Sequence, residues 1–178
     1  MDLSKLSHGD NPPSEINIVI EVPMNSEPVK YEFNKEVNAM FVDRFMNTSM
    51  VYPCNYGFIA NTLSGDGDPV DVLVHTNHKI MPGAIVKARP IGVLITQDEN
   101  GNDEKILAVP TVKCDPYFSN IKTYEDLPEI ILQRIQHFFE HYKDLEKNKW
   151  VKVIGWQGVE EAEKVILASI KNYTDAQE

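Results

Sequence analysis

Cysteine is scarce in this chain. Only Cys54 and Cys114 occur, too few for the disulfide lattice of a small secreted domain, so two buried, reduced thiols are expected. Long apolar runs are also missing. None approaches the roughly 20 residues that a bilayer-spanning helix needs, so no membrane segment is expected. The opening Met-Asp-Leu-Ser-Lys contains no apolar signal region, which makes the cytoplasm the expected location. Positive charge is in deficit, with 17 Lys and Arg against 27 Asp and Glu and a formal charge of −10. Such a surface gains nothing from the phosphate field of a duplex, so nucleic acid is not an expected partner.

The rest of the composition is that of an ordinary globular protein. Hydrophobic residues make up 42% and charged residues 25% of 178 positions, a length that suits one core, so a single domain over residues 1–178 is expected. No internal repeat breaks it up. Periodicity predicts strands over 16–22, 29–33, 40–45, 70–74, 85–95, 105–110 and 149–156. In the fifth of these, Pro90 and Gly92 interrupt the run and predict a bulge or a sharp bend. Residues 97–103 read as a hairpin loop around Asn100-Gly101. Leu127, Ile131, Ile135, Phe138, Tyr142 and Leu145 form one apolar stripe, predicting a helix of about five turns. A second amphipathic helix is predicted over 159–173, with Ala162, Val165, Ile166, Ser169 and Ile170 inward. The fold class is therefore α+β, mainly β: a small closed barrel flanked by two α-helices in the C-terminal half.

The chemistry concentrates in 64–74. Asp66, Asp68 and Asp71 fall within six residues, beside Gly65, Gly67 and Pro69. Carboxylates this close repel one another, and each needs hydration or a counter-cation. An all-oxygen set favours Mg²⁺, Mn²⁺ or Ca²⁺ over Zn²⁺, and a solvated acidic turn is the bland alternative. The calcium-hand template fails, because Val70, Asp71 and Asn77 stand where it requires a ligand, a glycine and a glutamate. Further acids lie at Glu21, Glu32, Asp98, Glu99 and Asp103, with cations Lys30, Arg44, Lys105 and Lys143 and hydroxyls Tyr52, Tyr56 and Tyr142. Acidic metal ligands together with anion-holding cations suit phosphoryl transfer to water.

Two rivals stay open at this level. His137-Phe-Phe-Glu140-His141 matches an inverted zinc-peptidase pattern. The plainer reading puts His137 and His141 at a contact between subunits. A barrel of this kind also suits a ligand-binding module for oligonucleotides or sugars, although the chain has no basic groove with interleaved aromatics.

Taken together, the blocks resemble the soluble family I inorganic pyrophosphatases, especially the short bacterial members. The signature is Asp66-Gly-Asp68-Pro-Val-Asp71-Val. Flanking blocks agree in order: Val22-Pro23, Lys30-Tyr-Glu32, Phe41-Val-Asp-Arg44-Phe, Tyr52-Pro-Cys-Asn-Tyr56-Gly57, Pro82-Gly83, Asp98 with Asp103 and Lys105, and His137 through Lys143. Lys149-Trp-Val-Lys-Val-Ile-Gly-Trp156 closes the series.

The resemblance implies a five-stranded, OB-like barrel and hydrolysis of pyrophosphate to two phosphates, with several Mg²⁺ ions per site and Mn²⁺ or Zn²⁺ as substitutes. It implies that Asp66, Asp71 and Asp103 bind the tighter metals, with Asp71 bridging two. Asp98 and Asp103, helped by Glu21 and Glu32, would take the ions that arrive with substrate. Asp68 resembles the general base acting on a metal-bridging water. Lys30, Arg44, Tyr56, Lys105, Tyr142 and Lys143 resemble the groups that hold the phosphates, and Tyr52 and Glu99 resemble cavity lining. A homohexamer is the implied assembly.

Overall fold

A computed structural model describes residues 2–99 and 101–177. In chain order it contains β1 (Ile16–Val22), β2 (Val29–Asn34), β3 (Ala39–Phe45), β4 (Asn55–Phe58), β5 (Asp71–Val74), β6 (Ile85–Asp98), β7 (Gly101–Pro110), α1 (Glu129–His141), β8 (Val151–Gln157) and α2 (Val159–Asp175). This is the mainly β, two-helix composition expected. Among the described residues, no helix is long and apolar enough to cross a membrane. Both cysteines are free thiols, but only Cys54 has the expected burial; Cys114 is exposed, because it lies in the turn that follows β7.

The main sheet runs β1-β4-β5-β7-β6-β8, and β1 also pairs with β6. The pairings β1-β4-β5-β7-β6 thus return to β1. β5 and β7 run parallel, and the other contacts are antiparallel. β6 is the longest strand because it serves three partners. Residues 85–88 pair with β1 and 93–98 with β8, while β7 pairs with residues 88–98. Its ladder with β7 shifts register between Pro90 and Gly92, where proline withholds an N–H and the strand bends, as the sequence predicts. Gly92 has no room for a side chain: a Cβ there would lie 2.8 Å from the Tyr124 ring and 2.9 Å from the Gln157 carbonyl. β2 and β3 form a separate hairpin.

Apolar clusters cover both faces of the sheet. Leu73, Leu107 and Val109 pack with Ile135, Phe138 and Phe139 of α1. The alternate residues Val72, Val74, Ile106 and Ala108 pack with Ala162 and Ile166 of α2. Burial on both faces explains why 72–74 and 106–109 read as continuous apolar runs rather than alternating ones.

Three expectations about the elements need correction. The first helix has 13 residues and not about five turns. Leu127 precedes it, closing a short 3-10 turn, and Tyr142 is its C-cap. Leu145 lies beyond it with 65% of its surface exposed. The chain leaves the helix through i to i−3 bonds from Asp144 to His141 and from Glu146 to Lys143, then turns at Asn148 with φ of 62°. The hairpin loop of 97–103 is also shorter than expected, because Asp98 and Gly101 are already paired; Asn100 lies outside the described residues. Finally, β4 has no counterpart in the predicted set. It is four residues long and buried throughout, so it shows no period. Gly57 admits the β1 backbone so closely that a Cβ would sit 2.0 Å from the Val19 carbonyl oxygen.

Candidate active site

The turn before β5 is built from hydrogen bonds that its small residues permit. Ser64 N–H donates to the Asp68 carbonyl at 2.7 Å, and Gly67 N–H to the Ser64 carbonyl at 3.2 Å. Gly67 takes φ of +94°, a conformation that L side chains rarely adopt. The Asp66 carboxylate accepts from the Asp68 N–H at 3.0 Å. This turn presents Asp66 and Asp68 and delivers the chain to Asp71 at the head of β5.

Parallel pairing sets Asp71 opposite Lys105 on β7. Asp103 lies two residues before Lys105 and so shares its face. The Lys105 ammonium, 2% exposed, donates to Asp71 at 2.8 Å and to both oxygens of Asp103 at 2.9 and 3.0 Å. It also lies over the Tyr56 and Phe139 rings, at 5.8 and 5.1 Å from their centroids. Burial acts against its charge, but the carboxylates of Asp71 and Asp103 outweigh that and hold Lys105 well above the ordinary lysine value.

The turn after α1 supplies Tyr142 and Lys143. The Lys143 ammonium meets Asp98 at 3.0 Å, with both side chains 9% exposed. From the separate hairpin come Lys30, Glu32 and Arg44. Lys30 lies 3.3 Å from Asp43 and 3.5 Å from Glu32. Arg44 donates to Glu146 at 2.6 Å. Glu21 of β1 accepts the Phe33 N–H at 2.8 Å, which fastens the hairpin to the sheet.

These segments enclose one cleft of about 480 Å³. All thirteen residues singled out for a site line it: Glu21, Lys30, Glu32, Arg44, Tyr56, Asp66, Asp68, Asp71, Asp98, Asp103, Lys105, Tyr142 and Lys143, with Tyr52 and Glu99 beside them. Lys35, Glu36 and Lys149 also line it, and the sequence assigns none of them to a site, although Lys149 opens the last block of the family resemblance. Lys35 and Glu36 have the local context of any exposed charge, so no sequence pattern marks them.

The cleft counts nine carboxylates against six cations among its described residues, and the electrostatics follow. Burial pushes the Glu21 carboxyl up to about 8, with the nearby Asp71 adding to the shift and the Phe33 N–H opposing it. Burial first, and neighbouring carboxylates second, also raise Asp66 and Asp68. Burial raises Tyr52, Tyr56 and Tyr142.

Among the described residues, no three Asp, Glu, His or Cys side chains converge closely enough to hold an ion as they stand. The cleft brings Asp66, Asp71 and Asp103 together without preassembling them around one point. The donor set nevertheless fits hard dications, because it is all oxygen and strongly acidic. The Lys105 ammonium between Asp71 and Asp103 marks a place where these carboxylates accept positive charge.

His137 and His141 stand apart, on the exposed face of α1 with ring centroids 4.7 Å apart. His141 Nδ1 meets Asp144 at 2.9 Å. No third zinc ligand joins them among the described residues.

A family model described as inorganic pyrophosphatase matches residues 18–174. The chain belongs to the inorganic pyrophosphatase family. Membership assigns it to enzymes that hydrolyse pyrophosphate and sets aside both the peptidase and the binding-module readings. An inorganic pyrophosphatase of Rickettsia conorii is 62% identical over 152 residues, covering 85% of this chain and 88% of that one. One of Bradyrhizobium diazoefficiens is 55% identical over 171 residues and covers 96% of each chain. The solved inorganic pyrophosphatase of Coxiella burnetii superimposes with a TM-score of 0.92 at 48% identity, covering 94% of this chain and 99% of the other. The family is metal-dependent, which agrees with the donor set of the cleft.

Proposed function

We propose that this cleft hydrolyses inorganic pyrophosphate to two phosphates with Mg²⁺, with Mn²⁺ or Zn²⁺ able to substitute. The observation that carries the reading is the gathering of all thirteen residues, from segments spread over the chain, into one cleft. Asp66, Asp71 and Asp103 would hold the tighter ions; Asp98 and Asp103, with Glu21 and Glu32, would serve the ions that come with substrate. Bound dications would supply charge neutralisation and would make an attacking water more acidic.

The chain's own groups do the rest. Asp68 is the general base. Among the described residues no donor occupies its carboxylate, and burial, with Glu32 and Asp71 nearby, raises its proton affinity above that of an ordinary carboxylate. Lys30, Arg44, Tyr56, Lys105, Tyr142 and Lys143 hold the two phosphate groups. Arg44 and Lys143 stabilise charge that builds on the departing one. Burial keeps the Tyr56 and Tyr142 hydroxyls protonated, as donors to phosphate oxygens.

The same reading extends to the molecule as a whole. The returning strand pairings are a five-stranded, OB-like closed barrel, and residues 1–178 form one domain. The enzyme works in the cytoplasm as a homohexamer, with His137 and His141 at a subunit contact. The test is phosphate release from pyrophosphate with Mg²⁺ and with EDTA. Release with Mg²⁺ and its loss with EDTA are expected; no release in either condition would sink the proposal.

A further inference from the structure

The connection between α1 and β8 carries a charged side chain to which the roles above assign nothing. Glu146 has only 13% of its side chain exposed. Its Oε2 accepts the 2.6 Å hydrogen bond from Arg44 Nη1, across 102 residues of sequence, and lies at a looser 3.5 Å from Lys149 Nζ. Arg44 and Lys149 both line the cleft, and Glu146 does not.

Arg44 has one other carboxylate partner among the described residues, Asp43, 3.2 Å from its Nε. Asp43 is the neighbouring residue on β3 and travels with Arg44, so it cannot fix the guanidinium relative to the rest of the cleft. Glu146 comes from a different element, the turn that also carries Lys143, which is itself pinned to Asp98. The hairpin that carries Arg44 is its own two-stranded sheet. Its β2 end is fastened by the bond from Phe33 N–H to Glu21, and the Arg44–Glu146 pair fastens the β3 strand. A guanidinium is a planar fork whose value to a phosphate depends on its aim.

We propose that Glu146 is a positioning residue, holding Arg44 in register with the phosphate-binding groups of the cleft. The inference rests on the pyrophosphate reading above. Glu146 also carries a charge that repels a polyanion, so its removal has two opposed effects. Orientation prevails, because a short, directional and partly buried contact is lost, whereas the charge is already matched by Arg44 and Lys149.

The test is steady-state kinetics with Mg²⁺ on Glu146→Gln, Glu146→Ala, Arg44→Ala and the double variant with both alanines. Both Glu146 variants should lower kcat/KM for pyrophosphate by about tenfold or more, through a raised KM and a reduced kcat together, because Arg44 both holds phosphate and stabilises the departing one. In the Arg44→Ala background, Glu146→Ala should add less than about twofold, since its effect runs through Arg44. An unchanged kcat/KM in Glu146→Gln, or losses that multiply in the double variant, would overturn the assignment. Circular dichroism and Tm are measured alongside, and if Glu146→Ala does not fold, the isosteric Glu146→Gln decides. A wild type without activity would defeat the pyrophosphate reading; an active wild type with an unaffected Glu146→Gln would defeat only this one.

Discussion

Lys105 is the side chain on which the cleft's electrostatics turn. It is almost wholly buried, yet it stays charged because two carboxylates face it at hydrogen-bond distance. Replacing it with Met leaves Asp71 and Asp103 opposed without a cation, which should cost about 3 kcal/mol in the metal-free protein. Added Mg²⁺ should recover part of that, because a bound dication stabilises the folded state that holds it. Thermal unfolding with EDTA and with Mg²⁺ checks this; an equal drop in Tm under both conditions would contradict it. Asp68 makes a different demand. Asp68→Asn keeps shape and removes the proton acceptor, so turnover should fall by about 10² to 10⁴, the usual span for a general base. The far-UV circular dichroism should stay unchanged. A variant that releases phosphate at the wild-type rate would take Asp68 out of the role.

Among the elements, α1 shows how tertiary contacts cut short a good local pattern. Leu127, Tyr142 and Leu145 continue the apolar stripe in sequence, but the helix stops at His141. The residues after it are needed elsewhere, since Lys143 reaches Asp98 and Glu146 reaches Arg44. The i to i−3 turns carry those side chains to their partners, and the interior ion pairs outweigh one more helical turn. The consequence is measurable by denaturant unfolding. Ile135→Ala, in the fully buried part of the stripe, should cost about 2–5 kcal/mol. Leu145→Gln, beyond the helix and exposed, should change stability by less than about 0.5 kcal/mol. Comparable losses in the two would mean that the longer helix forms. The strands teach the same lesson. Where one residue in two is buried, alternation reveals the element; β4, buried on both faces and holding Gly57, offers no period to read.

For the whole molecule, the net charge of −10 and the acidic cleft pose one problem: a small polyanion is repelled until cations enter. Metal removal should therefore abolish activity while leaving the two apolar clusters, and hence the fold, in place. The proposed assembly draws on another surface. His137 and His141 are exposed in the single chain and lie beside the apolar stripe of α1. Replacing both with Ala should shift the protein to smaller species in sizing chromatography; an unchanged elution volume would remove them from a contact.

The sequence by itself determined most of the element types, the apolar faces of both helices and most of the charged residues that line the cleft. It did so because strand and helix periods are local, and because crowded carboxylates beside glycine and proline have few stable uses. Only the tertiary structure decided where α1 ends, that β4 exists, and that Lys35, Glu36, Lys149 and the Arg44–Glu146 tether belong to the cleft and its support. Those features depend on contacts between residues far apart in the chain, whose free energy no local pattern records.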